Sequence, residues 1–150
     1  MNSPPYALYA EDDANTAQLF LTVMANHNAA FKVVHVWNGE EALEFLRGRG
    51  RFDGRDPQNP AVIFIDLEMP RVDGLEVLTE IKADAELRTI PAVMFAGSIN
   101  AEKLRRSYEL GASAHVVKPV NFRRFADFVR ILGDFWLTIN AAPAACVRHD

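Results

Sequence analysis

Residues 61–65 read Ala-Val-Ile-Phe-Ile, five apolar residues without a break, closed by Asp66. The run is far too short to span a bilayer, which takes about 20 residues. It has no polar alternation that would give it a wet face. Such a run fits a parallel strand covered on both sides in the middle of a sheet. Four more apolar runs accompany it, at Tyr6–Ala10, 31–37, Ala92–Ala96 and Ala114–Val117. Between them the period becomes helical: Ala17, Phe20, Leu21 and Met24 fall at i, i+3, i+4 and i+7. Leu75, Leu78 and Ile81 form a second stripe, and Phe122, Phe125, Val129 and Leu132 a third. Asn38 and Asp73 each stand three residues before a glutamate, Glu41 and Glu76, the spacing of a capping box. Gly111 suits a left-handed helix C-cap. Five strand–helix repeats with right-handed crossovers predict an α/β fold, a doubly wound five-stranded parallel sheet with helices on both faces.

Two segments fall outside this rhythm. Residues 47–60 are rich in Gly, Arg, Asp and Pro and read as a long, mobile loop. Phe135–Ile139 sets large apolar side chains near the end, followed by an Ala/Pro-rich tail. The expected organisation is one domain over 1–150, with a core of about 5–133 and a C-terminal extension of about 134–150. The 49% apolar content supports a packed core. A formal charge of −4 argues against a phosphate-backbone binder, so no nucleic-acid partner is expected. The short basic stretches at 47–51 and at Arg123 and Arg124 read as solvated surface. No basic-then-apolar leader and no membrane-spanning run is visible. The single cysteine, Cys146, cannot form an internal disulfide, which fits a reducing cytoplasm.

In an open parallel sheet, ligands bind outside the carboxyl ends of the strands. Glu11, Asp12 and Asp13 follow the first run, Asp66 and Glu68 the third, and Lys118 and Pro119 the fifth. Crowded carboxylates repel unless a cation neutralises them. Mg²⁺ takes one or two carboxylates together with waters and phosphate oxygens, and a lysine at the same rim supplies a point charge for a phosphate. These are the parts of phosphoryl transfer to a nucleophilic carboxylate. An acidic residue after a strand is also a common helix cap, and Asp13 reads as one. The joint placement of Glu11, Asp12, Asp66 and Lys118 is more specific than any member alone.

Three stretches, Tyr-Ala-Glu11-Asp12-Asp13, Ile-Asp66-Leu-Glu-Met-Pro-Arg-Val-Asp-Gly74 and Val-Val-Lys118-Pro119, resemble the response-regulator receiver family of two-component signalling over nearly the whole chain. The resemblance implies a flavodoxin-like sheet of order 2-1-3-4-5. It implies that Asp66 accepts a phosphoryl group from a histidine kinase. It further implies Mg²⁺ held by Asp12 and Asp66 directly, by Glu11 through water, and by the Glu68 backbone carbonyl. Lys118 would bind a phosphoryl oxygen, with the Lys118–Pro119 bond cis. Such a domain signals by protein contacts without a DNA-binding output domain. It is not an enzyme beyond slow self-dephosphorylation. The 47–57 loop, the Arg-Ser-Tyr-Glu-Leu-Gly-Ala stretch and the Phe-Trp-Leu-Thr-Ile-Asn tail resemble stand-alone receivers that partner bacterial phytochrome kinases. A homodimer through the C-terminal region is expected, because Phe135, Trp136, Leu137 and Ile139 cannot all face inward.

Two positions depart from the family pattern. Ala96 stands where Thr or Ser normally offers a hydroxyl to the phosphoryl group, and His115 where Tyr or Phe usually acts as the aromatic switch. They leave chemistry at Asp66 intact and put the transmission of phosphorylation in question. One rival reading is therefore an interaction module that binds its partner regardless of phosphate. A second is a Mg²⁺-dependent aspartyl-phosphate phosphatase, for which Glu68 stands at the spacing of the second acid. His27, His35, His115 and His149 show no metal-ligand spacing, and structural or surface roles are expected for them. Trp37 and Trp136 read as packing residues.

Overall fold

The computed structural model describes residues 4–143. Expectations that concern Cys146, His149 and the rest of 144–150 lie outside the described residues. Five strands alternate with five helices: β1 (Tyr6–Ala10), α1 (Ala14–His27), β2 (Lys32–Val36), α2 (Gly39–Arg47), β3 (Val62–Asp66), α3 (Gly74–Ala83), β4 (Ala92–Ala96), α4 (Ala101–Glu109), β5 (Ala114–Val117) and α5 (Phe122–Asp134). All pairings are parallel, in the order β2-β1-β3-β4-β5. β1, β3 and β4 are buried at every residue, whereas β2 and β5, at the edges, are partly exposed.

Strand alternation divides the apolar side chains into two cores. Ala7, Tyr9, Phe64, Phe95 and Val116 face α1 and α5, packing with Phe20, Met24, Phe125 and Val129. Leu8, Ala10, Ile63, Ile65 and Ala96 face α2 and α3, packing with Leu46, Leu78 and Ile81. Among the described residues, no helix is long and apolar enough to cross a membrane.

The predicted helix starts are realised. Asp73 and Glu76 form a complete capping box. Asn38 caps α2 by accepting from Glu41 N, but the Glu41 carboxylate accepts from Trp37 N at 2.8 Å, one residue earlier than a capping box requires. β2 ends at Val36, so Trp37 lies beyond the strand. Gly111 has a positive φ of 102° just past α4. The third stripe starts a turn later than expected: Phe122 is exposed, and α5 buries Phe125, Ala126, Val129 and Leu132.

The segment read as a mobile loop is tied down. It contains a short 3₁₀ turn, Gly50–Phe52. The Arg55 guanidinium donates to the carbonyls of Phe45, Leu46, Asp56 and Gln58 and to Asn59 Oδ1. Gln58 and Asn59 are buried. A five-donor side chain wired to its own backbone replaces the missing secondary structure, which composition alone does not show.

After α5 the chain continues as a π-helical turn, Phe135–Ile139, closed by Asn140 N donating to Phe135 O at 2.7 Å. Leu137 is buried in the α1/α5 core and Trp136 packs against it, while Phe135 and Ile139 remain exposed.

Candidate phosphoacceptor and metal site

Three strand ends converge at the carboxyl edge of the sheet. Asp66 lies two residues after Phe64, Lys118 two after Val116 and Glu11 two after Tyr9, so alternation sends all three toward the α1/α5 side. Glu11 and Asp66 are almost sealed, at 1% and 4% exposure, while Asp12 is exposed at the rim. Lys118 Nζ lies 3.2 Å from Glu11 Oε1 and 3.4 Å from Asp66 Oδ1, and it spans both carboxylates. Glu11, Asp12 and Asp66 each offer an oxygen within 4.8 Å of the others. That all-oxygen, acidic donor set fits a hard dication such as Mg²⁺.

The electrostatics follow from this crowding. Burial, and then the neighbouring Glu11 carboxylate, push the Asp66 carboxyl up to about 7, against the pull of Lys118. The partial desolvation that Asp12 meets at the rim, and then Glu11, also raise its pKa. Burial works against the Lys118 ammonium, but Asp66 and Glu11 outweigh it and hold its pKa above the usual value. Two carboxylates around one ammonium leave the pocket short of positive charge.

The scaffold around Asp66 leaves little room. A Cβ on Gly74 would sit 2.5 Å from Asp66 O and 2.9 Å from Leu67 Cα, so only glycine lets α3 start this close to the acidic strand end. Lys118 N donates to Ala96 O at 2.8 Å, which fixes the lysine's stem against β4. The Lys118–Pro119 bond, expected cis, is trans, as is every described peptide bond. Trans is the ordinary X–Pro state by about 0.5–1 kcal/mol, and Lys118 reaches both carboxylates from it.

Asp13 is the N-cap of α1, accepting from Thr16 N at 2.8 Å and Thr16 Oγ1 at 2.6 Å, and these bonds lower its pKa. The Glu68 side chain is drawn to Lys103 Nζ at 2.5 Å, outside the carboxylate group. The second acid that a phosphatase would present is therefore engaged elsewhere. Ala96 is buried and offers no hydroxyl; beyond it Gly97 has open space around its Cα.

His115 faces α4, not the acidic pocket. Its Nδ1 lies 2.9 Å from Ser107 Oγ, which also donates to Lys103 O at 2.9 Å. Burial lowers the His115 pKa, which favours the neutral ring. Ser107 is the one residue of α4 that is buried.

Sequence reasoning assigned no part in the site to Ser107, to His35, or to Tyr9, which opens the first motif stretch. His35 Nε2 lies 2.9 Å from Glu11 O, and its ring meets Trp37 at 4.3 Å between centroids. Tyr9 pairs with His35 across β1 and β2. Only that register places the histidine beside the acidic loop, and nothing in the linear spacing announces it. Trp37 is half exposed beyond β2, so it packs against a ring and not into the core.

Comparison with known proteins agrees with this arrangement. Residues 7–130 match the response regulator receiver domain. The response regulator Rcp1 of Synechocystis sp. is 31% identical over 144 residues, covering 96% of this chain and 97% of that protein. The crystal structure of the phosphorylated cyanobacterial phytochrome response regulator RcpA superposes with a TM-score of 0.87 at 32% identity, over 94% of this chain and 99% of that one. The Mn²⁺-bound form of Rcp1 gives a TM-score of 0.86 at 29% identity, over 93% and 99% of the two chains. Fold, strand order and the match over most of its length agree: the chain belongs to the response regulator receiver family of two-component signalling.

Proposed function

We propose that Asp66 accepts a phosphoryl group from the phosphohistidine of a sensor kinase, with Mg²⁺ held by Glu11, Asp12 and Asp66 and by the Glu68 backbone carbonyl. A bound Mg²⁺ supplies the positive charge that lets these carboxylates stay ionised together and neutralises the phosphoryl oxygens. The Asp66 carboxylate oxygen bonds to phosphorus as the N–P bond breaks, and that electron pair returns to the kinase imidazole. Lys118 passes from its two carboxylates to a phosphoryl oxygen. The observation that carries this reading is the Lys118 ammonium lying 3.4 Å from Asp66 within a three-carboxylate group.

Likeness to RcpA supports a phytochrome-type histidine kinase as the donor. The exposed Phe135 and Ile139 support a second copy of the chain as a further partner. The single-domain organisation and a cytoplasmic location suit such a relay.

Incubation with Mg²⁺ and a small phosphodonor, followed by borohydride trapping and peptide mapping, tests the acceptor. Wild type is expected to gain label on the peptide holding Asp66, and Asp66→Asn to gain none. Asp12→Asn should slow labelling by weakening Mg²⁺ binding. Label at the wild-type level in Asp66→Asn would reject Asp66 as acceptor. A second reading, partner binding independent of phosphate, is favoured by Ala96 alone. It requires equal partner affinity for wild type and Asp66→Asn under phosphorylating conditions.

A further inference from the structure

Tyr9 ends in a polar atom that the fold leaves without a partner. Its ring is fully buried beneath α1, stacked on Phe20 at 3.9 Å between centroids and tilted against His35 at 5.6 Å and Phe95 at 6.1 Å. Its hydroxyl is sealed from solvent and has no hydrogen-bond partner among the described residues. Buried hydroxyls are nearly always bonded, so an orphan calls for a reason. A phenylalanine would fill the same space without leaving a buried donor unmet. Tyr6, three residues earlier on the same strand, shows the usual arrangement: its hydroxyl donates to Gln58 O at 2.6 Å.

The surroundings of the Tyr9 hydroxyl are one-sided. Burial holds the phenol in its protonated form, and the charges that bear on it are the carboxylates of Glu11, Asp66 and Asp13. Glu11 follows two residues on along the same face of the sheet, yet its carboxylate makes no hydrogen bond with the hydroxyl. The Glu11 carboxylate is instead turned to Lys118 Nζ at 3.2 Å and Asp13 N at 3.3 Å. Lys118 is the cation that phosphoryl transfer draws away.

We propose that Tyr9 is a positioning residue for the metal site, its hydroxyl donating to the Glu11 carboxylate when that group turns from Lys118 toward bound Mg²⁺. The donor is buried and pre-placed, so it fixes the carboxylate without ordering a flexible side chain. Groups that orient metal-holding carboxylates in this way typically contribute about tenfold to a hundredfold in metal affinity. This role rests on the metal reading given above and adds to it a residue to which that reading assigns no part.

Calorimetric titration of Mg²⁺ into wild type, Tyr9→Phe and Tyr6→Phe, paired with thermal unfolding in a chelator, tests it. Tyr9→Phe keeps the ring and is expected to weaken Mg²⁺ binding by about tenfold or more. Its metal-free Tm should hold or rise, because the substitution removes an unsatisfied hydroxyl. Tyr6→Phe should lower the Tm and leave Mg²⁺ affinity unchanged. Wild-type affinity in Tyr9→Phe overturns the role, whatever its Tm. An equal loss in Tyr6→Phe also overturns it, since the effect then belongs to the strand and not to one hydroxyl. A wild-type chain that takes up no Mg²⁺ at millimolar concentration removes the metal reading itself and this role with it, a result visible in the wild-type trace alone.

Discussion

Asp66 sets the pH behaviour of the metal-free protein. Its carboxyl is pushed from an ordinary 3.8 up to about 7, first by burial and then by Glu11. The folded state therefore keeps a proton that the unfolded chain releases. A carboxyl raised in this way contributes stability that is complete below about pH 4 and is lost as the pH climbs through about 7. In a chelator, wild type should lose stability between pH 5 and pH 8 more steeply than Asp66→Asn, by on the order of 2–4 kcal/mol. Lys118, held above its usual value, titrates outside that window. Urea midpoints of both proteins at three pH values measure the difference, and parallel curves would show that Asp66 is already ionised. Saturating Mg²⁺ should flatten the wild-type curve. The residues behind this behaviour were legible in the sequence, because Glu11, Asp12, Asp66 and Lys118 each stand where an apolar run stops. Tyr9 and Ser107 were not. One looks like any strand aromatic and the other like any helix surface serine, and each gains meaning only from its neighbours in space.

Among the elements, α4 is the least committed to the core. It buries only Ser107, whose hydroxyl meets His115 of β5. Its first turn is tied to the β3–α3 connection by Lys103 and Glu68. No apolar stripe was drawn for α4 or for α2, so the sequence did not single α4 out. The strand order came from the family resemblance, and in the structure the three fully apolar runs are the buried strands β1, β3 and β4. If Asp66 is phosphorylated as proposed, movement of α4 would depend on how strongly β4 is pulled toward it, and Ala96 offers that pull no hydroxyl. A hydrogen bond to a charged group contributes about 1.5–3 kcal/mol. Losing about 2 kcal/mol of preference weakens a two-state shift roughly thirtyfold. Beryllofluoride, a stand-in for the phosphoryl group, is expected to shift amide resonances of 97–111 and 114–117 slightly in wild type and more in Ala96→Thr. A full wild-type shift that Ala96→Thr fails to enlarge would sink the idea.

For the whole molecule, the last turns of α5 and the π-helical turn after it have two faces. Leu137 completes the α1/α5 core, while Ile131, Phe135 and Ile139 form an apolar stripe four residues apart that faces solvent. Burying one such side chain contributes about 1.5–3 kcal/mol, and two-fold symmetry doubles every contact. Phe135→Ser with Ile139→Ser is expected to convert a homodimer into monomer with Leu137 still in place, as read by sedimentation. A wild type that sediments as a monomer at tens of micromolar would show that the stripe does not pair copies. The loose hold on α4 has a consequence of another kind, for the signal itself. A helix held by one buried residue and one exposed ion pair is the part of the fold expected to open locally most readily, before any kinase acts. If Asp66 is phosphorylated as proposed and α4 carries the signal, the expected output is a raised baseline tilted in proportion, a dimmer in place of an on–off contact.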